Sequence, residues 1–123
     1  MIWQKHFNIL YFFLSIIWAL VIYYFSSLPD LKSGLDSTLD LILRKGAHIF
    51  VYSILSYCLL KIFDKDEKHY LLFAIVVSVF YAGSDELHQL SVSGRYGSPV
   101  DIAFDSGGVF LGVIFYRLFK KSK

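Results

Sequence analysis

Four long apolar stretches separated by short polar breaks set the pattern of this chain. The first, residues 7–25, runs without a formal charge. At about 1.5 Å per helical residue it nearly matches a bilayer core of about 30 Å. Tyr23 and Tyr24 at its far end suit an interfacial aromatic belt. A secretory leader would carry a shorter apolar region, and three more apolar segments follow, so the stretch reads as a retained helix. Ser26-Ser27-Leu28-Pro29-Asp30 ends it, because Pro29 biases its predecessor away from helical geometry.

Leu31 to Arg44 mixes polar and apolar positions, and Leu35, Leu39, Ile42 and Leu43 recur at helical spacing. That pattern predicts a short amphipathic helix lying in the membrane interface. The second span covers about 45–63, with Lys45 and Lys61 able to snorkel to opposite headgroup regions. Asp64-Lys65-Asp66-Glu67-Lys68 forms a charged loop, and a third span follows over about 70–89. A loop around Ser91 to Gly94 leads to Pro99, which suits the first turn of a fourth helix over about 100–119. The expected fold is all-α: an integral membrane bundle of four transmembrane helices, with a short amphipathic interfacial segment after the first. A single domain over 1–123 is expected. The helices are apolar nearly all round, which argues against a soluble four-helix bundle.

Composition strengthens the membrane reading. Hydrophobic residues make up 56% of the chain, above the roughly 45–50% of soluble domains. A net formal charge of +2 with no basic stripe excludes a nucleic-acid partner. Cys58 is the single cysteine and lies in an apolar run, so no internal disulfide or thiolate metal cage can form. With four spans, Lys5, Lys61, Lys65, Lys68, Arg117, Lys120, Lys121 and Lys123 share one side, against Lys32, Arg44, Lys45 and Arg95 on the other. The positive-inside rule then predicts a multi-pass protein of the cell membrane with both termini cytoplasmic.

Three spans carry polar stripes at helical spacing. Lys45, His48, Tyr52 and Ser56 lie on one face of the second; Ser78, Ala82, Asp85 and Gln89 on one face of the third, with His88 adjacent; Asp101, Asp105, Gly108 and Gly112 on the fourth. Charged residues in membrane helices face the bundle interior or a water-filled cavity, so the stripes most economically face one another. They also meet at one depth, at the outward end. Gly108 and Gly112 form a small-xxx-small pair that lets another helix approach, within this chain or from a second copy.

The expected ligand-binding set is Lys45, His48, Tyr52, Asp85, Glu86, His88, Gln89, Arg95, Ser98, Asp101 and Asp105, and the candidate acid–base groups are His48, Asp85, Glu86 and His88. A phosphate would be met by Lys45, Arg95, Ser98 and the histidines. Four carboxylates against two fixed cations weigh against a simple phosphate cradle. Metal binding through Asp85-x-x-His88, completed by Asp101, Asp105 or His48, is the alternative that the carboxylate excess suggests, but the spacing matches no specific metal motif. No cofactor is identified. Gly-x-Ser-x-Gly and a catalytic cysteine motif are both absent. Ion pairing of Lys45 and Arg95 with the carboxylates, simply to hold helices together, is the structural alternative.

These residues carry a resemblance. Lys45-x-x-His48-x-x-x-Tyr52, Asp85-Glu86-x-His88-Gln89, Gly94-Arg95-x-x-Ser98-x-x-Asp101 and Gly108-x-x-x-Gly112 are similar to the VanZ family of small bacterial membrane proteins. So is Tyr24-Phe25-Ser26-Ser27-x-Pro29 after the first span. Ser93 stands where that family commonly has proline, and Asp105 where it usually has asparagine. The resemblance implies a multi-pass protein of the cell envelope, and the family's namesake is associated with low-level teicoplanin resistance. The expected partners are the bilayer and a lipid-linked envelope component. The function expected first is binding of an envelope lipid or glycopeptide-related ligand in an outward-facing polar pocket. An enzyme acting on a lipid-linked phosphate or sugar, and a structural or partner-binding membrane subunit, are the alternatives.

Overall fold

Four α-helices run along the chain: α1 (Ile9–Ser26), α2 (Ser37–Phe63), α3 (Lys68–Leu90) and α4 (Pro99–Lys120). The structure, a computed structural model, describes residues 7–27, 37–64, 68–92 and 99–120. Pro29, the start of the amphipathic segment (31–36), the loop residues Gly94, Arg95 and Ser98, and Lys121 and Lys123 lie outside the described residues. Among the described residues there is no strand.

Each helix is long and apolar enough to cross a membrane, with mean hydropathy from 1.4 to 2.1. The burial pattern is that of a membrane protein. On α1 the buried residues are Ser15, Ile22 and Ser26, while Phe13, Leu20 and Tyr24 are exposed. Two of the three inward positions are serines while large apolar side chains face outward, a distribution that a water-soluble protein could not tolerate at this scale. Lipid is the solvent that such a surface requires. The chain is a membrane protein.

Local chemistry sets the helix ends. The Asn8 side chain caps α1 by accepting from the amides of Leu10 (3.1 Å) and Tyr11 (3.4 Å). Pro99 opens α4, where its missing N–H costs nothing. α2 differs from the expected span. It begins at Ser37 instead of near 45, so the apolar positions Leu39, Ile42 and Leu43 belong to one continuous helix. Its 27 residues reach about 40 Å, some 10 Å beyond a bilayer core. The Asp40–Arg44 ion pair (3.2 Å) belongs to this extra length.

Successive helices run in opposite directions, and α2 is the hub. α2 and α4 run parallel in the tightest pairing, and two glycines explain why. A Cβ on Gly108 would strike the backbone of Ile49, and one on Gly112 would strike the Ser53 carbonyl and the Ser56 hydroxyl. The Gly108/Gly112 face therefore serves packing within the chain, where it lets α4 meet the α2 backbone directly. Ser56 reinforces the seam by donating to the Val109 carbonyl at 3.0 Å.

α1 lies against α2 through hydrogen bonds that compensate for the weak hydrophobic drive in lipid. The Asn8 amide donates to the Ile62 carbonyl (2.6 Å), and Trp18 Nε1 donates to the Val51 carbonyl (2.8 Å). Tyr81 of α3 donates to the Ala19 carbonyl. Between α1 and α3, on the surface of α2, an apolar cavity of about 270 Å³ is lined by Phe12, Ile16, Leu59, Phe73, Val77 and Tyr81, among others.

Candidate functional site

The polar stripes converge where α2 and α4 pass at the level of the first turn of α4. Lys45 Nζ donates to Asp101 Oδ1 and also sits over the Phe104 ring, 5.5 Å from its centroid. One turn further along, His48 Nδ1 lies 2.7 Å from Asp105 Oδ1. Helical spacing brings both pairs about: three residues on α2 and four on α4 advance each helix by about one turn, so two parallel helices repeat the contact.

With Asp105 as the acceptor, His48 donates through Nδ1–H, which fixes the ring and leaves Nε2 as the second functional nitrogen. Nε2 stands 3.9 Å from Asp101 Oδ2, beyond hydrogen-bonding range. Asp105 is fully buried, and its Oδ2 has no hydrogen-bond partner. The side chains of His48 and Lys45 keep 15% and 25% exposure, more than the carboxylates they pair with.

Asp85 joins from α3. Its Oδ2 accepts from Tyr52 OH at 3.3 Å and from Gln89 Nε2 at 3.4 Å. Tyr52 is fully buried. Its position brings it within electrostatic reach of both Asp85 and Asp105, while Glu86, also buried, acts electrostatically on His48. Four carboxylates from two helices thus face α2. Burying carboxylates is costly unless they are paired and hydrogen-bonded, and Lys45, His48, Tyr52 and Gln89 supply donors to Asp101, Asp105 and Asp85.

His88 goes elsewhere. Its Nε2 lies 2.8 Å from Ser27 Oγ, and its ring stacks on Tyr23 with centroids 4.4 Å apart. Ser27 spends its single proton on the Tyr23 carbonyl (2.8 Å), so His88 Nε2 must be the donor in this contact. Gln89 bridges the two groups, donating to Ser26 Oγ (3.3 Å) as well as to Asp85. Asp85 and His88 therefore take separate partners and do not form the two-ligand arm of the metal alternative. Among the described residues no three His, Cys, Asp or Glu side chains are arranged to hold a metal ion.

A family model described as VanZ/LLP1 matches residues 4–120, nearly the whole chain. The chain belongs to the VanZ/LLP1 family. No curated protein and no solved structure gives a significant match.

In this VanZ/LLP1 protein, Lys45, His48, Asp101 and Asp105 form one polar group and Tyr52, Asp85 and Gln89 a second, both against α2, and Glu86 acts electrostatically on His48. His88 is tied to the end of α1, and Arg95 and Ser98 lie outside the described residues. The sequence reading left Tyr23, Ser26, Ser27 and Phe104 out of the candidate set. The Tyr24-Phe25-Ser26-Ser27 stretch was the available signal for the two serines, because serines at the end of a membrane span need polar partners. Phe104 carried no signal; it matters only through its position beneath Lys45.

Proposed function

We propose that this VanZ/LLP1 protein binds the headgroup of an envelope lipid, or a glycopeptide-related ligand, at the end of the bundle that carries Lys45 and His48. That end faces outward and both termini lie in the cytoplasm, and binding there changes the response to teicoplanin-type antibiotics. The observation that supports this reading is His48. Its ring is oriented through Nδ1 by a buried carboxylate, while Nε2 makes no hydrogen bond and the side chain keeps some exposure. A residue used only to join α2 and α4 would gain nothing from an open second nitrogen. Lys45, held by Asp101 beside it, offers a fixed ammonium to the same ligand.

The test is expression in a glycopeptide-susceptible bacterium. The wild-type protein is expected to raise the inhibitory concentration of teicoplanin, and His48→Gln to abolish the rise while the protein still accumulates in the membrane. A His48→Gln protein that protects as well as wild type would sink the reading.

A second reading has the same observation behind it. An imidazole whose Nδ1 is bound to a carboxylate is the arrangement used in general base catalysis. On that reading the protein is an enzyme acting on a lipid-linked phosphate or sugar, with His48 Nε2 taking the proton and Lys45 holding the substrate. Turnover of an undecaprenyl-type phosphate or glycolipid by purified protein, lost in His48→Gln, separates it from binding alone.

A further inference from the structure

The fold sorts charge by end. Among the described residues, Lys61, Lys68, Arg117 and Lys120 stand against Asp64 alone at one end. Arg44 and Lys45 stand against Asp40, Asp85, Glu86, Asp101 and Asp105 at the other. Among the described residues the two ends thus carry opposite surpluses of charge. The carboxylate end belongs to the site already described. The cationic end has a built geometry of its own.

That geometry centres on Asp64, which follows α2 with a φ of 52°. A residue in this left-handed region turns the chain sharply at the helix end. Lys61 Nζ donates to its Oδ1 at 3.3 Å, and the buried Tyr116 of α4 donates to the same atom at 3.3 Å. Lys120 Nζ donates to the Asp64 carbonyl at 2.7 Å and to Tyr116 OH at 3.0 Å. Two ammoniums from different helices are thereby held against one residue that carries a single negative charge.

Their hydrogen-bonding capacity is not exhausted. Each ammonium has three N–H donors. Lys120 commits two, to Asp64 and Tyr116, and Lys61 commits one, to Asp64, while resting over the Tyr11 ring at 5.7 Å. Among the described residues Asp64 is the one acid against them, and the remaining donors suit an anionic acceptor. Leu118 and Phe119 beside Lys120 are exposed as lipid-facing residues are, so the pair lies where two spans end, at headgroup depth.

We infer that Lys61 and Lys120 form a binding site for the phosphodiester group of an anionic phospholipid. The site is independent of the Lys45 end and of the function proposed for it. The chemistry recognised is phosphate oxygen bearing a negative charge, met by two ammoniums whose relative position Asp64 and Tyr116 fix. A zwitterionic lipid offers the same phosphate, but its own ammonium cancels the charge that the two lysines would meet.

Native mass spectrometry of the detergent-purified full chain tests this, with phosphatidylglycerol and phosphatidylcholine as the probes. Each lysine near an anionic lipid surface is worth about fivefold, so Lys61→Gln with Lys120→Gln should weaken phosphatidylglycerol binding about 25-fold, to the phosphatidylcholine level. The double arginine variant should keep the preference. Should the double glutamine variant lose its helical circular dichroism, the single variants, each about fivefold weaker, carry the same test. Equal binding of both lipids by the wild type, or a preference that survives in the glutamine variants, overturns the inference. Full displacement of the lipid by inorganic phosphate would assign the site to free phosphate instead and overturn the lipid assignment.

Discussion

His48 and Asp105, fifty-seven positions apart in the chain, meet at 2.7 Å across the α2–α4 seam, and Asp105 is fully buried there. The pair couples the candidate site to the packing of the bundle. Removing the histidine alone strands a carboxylate inside the protein. His48→Ala is therefore expected to cost about 3 kcal/mol, read as a lowered thermal unfolding midpoint in detergent. Adding Asp105→Asn should recover much of that loss, because no buried charge is left without its partner. If the double variant is no more stable than the single one, the contact does not hold the seam.

The two adjacent glycines of α4 make opposite predictions. A Cβ at Gly107 meets nothing within 4 Å, so Gly107→Ala should be neutral or slightly stabilising in unfolding experiments. A Cβ at Gly108 meets the Ile49 backbone, which cannot rotate away as a side chain could. Gly108→Ala should cost about 1–3 kcal/mol and loosen α2 from α4. Cysteine cross-linking between these two helices would report the separation. Equal behaviour of the two variants would remove the close-approach explanation.

His88 holds the end of α1 through Ser27 and Tyr23 and takes no part in the Lys45–Asp101 or His48–Asp105 contacts. His88→Ala should therefore speed amide exchange at the C-terminal turns of α1 while leaving the α2–α4 seam protected. Exchange that rises equally in both places would show that the two groups act as one unit.

Orientation has its own experiment. A reporter fused after Lys123 should give a cytoplasmic signal, in keeping with the excess of lysine and arginine on that side. An extracytoplasmic signal would reverse the proposed outward-facing end.

Much of this protein could be read from local pattern. Uninterrupted apolar runs of membrane length have few alternatives once backbone groups must be hydrogen-bonded within lipid, so four helices followed from residues 7–119 directly. The helical period also put Lys45, His48 and Tyr52 on one face, and Asp101 with Asp105 on another. Those faces do touch, because each carries polar groups that a bundle in lipid must turn inward.

What the pattern could not supply was which neighbour each face receives. Asp85 and His88 stand three positions apart, close enough on a helix to share a ligand, yet Asp85 bonds Tyr52 while His88 bonds Ser27 at the end of α1. A rotation of about 60° between them is enough to place them against different helices. Likewise Gly108 and Gly112 advertised a close contact without naming the partner, and only the folded chain assigns it to α2. The merging of residues 37–44 into α2 also depended on context, since an interfacial helix and the protruding end of a span share the same amphipathic spacing. The sequence by itself determined the helices and their polar faces, through rules that act within a few residues. The tertiary structure decided the pairing of those faces, because pairing is a competition among distant surfaces that no local spacing records.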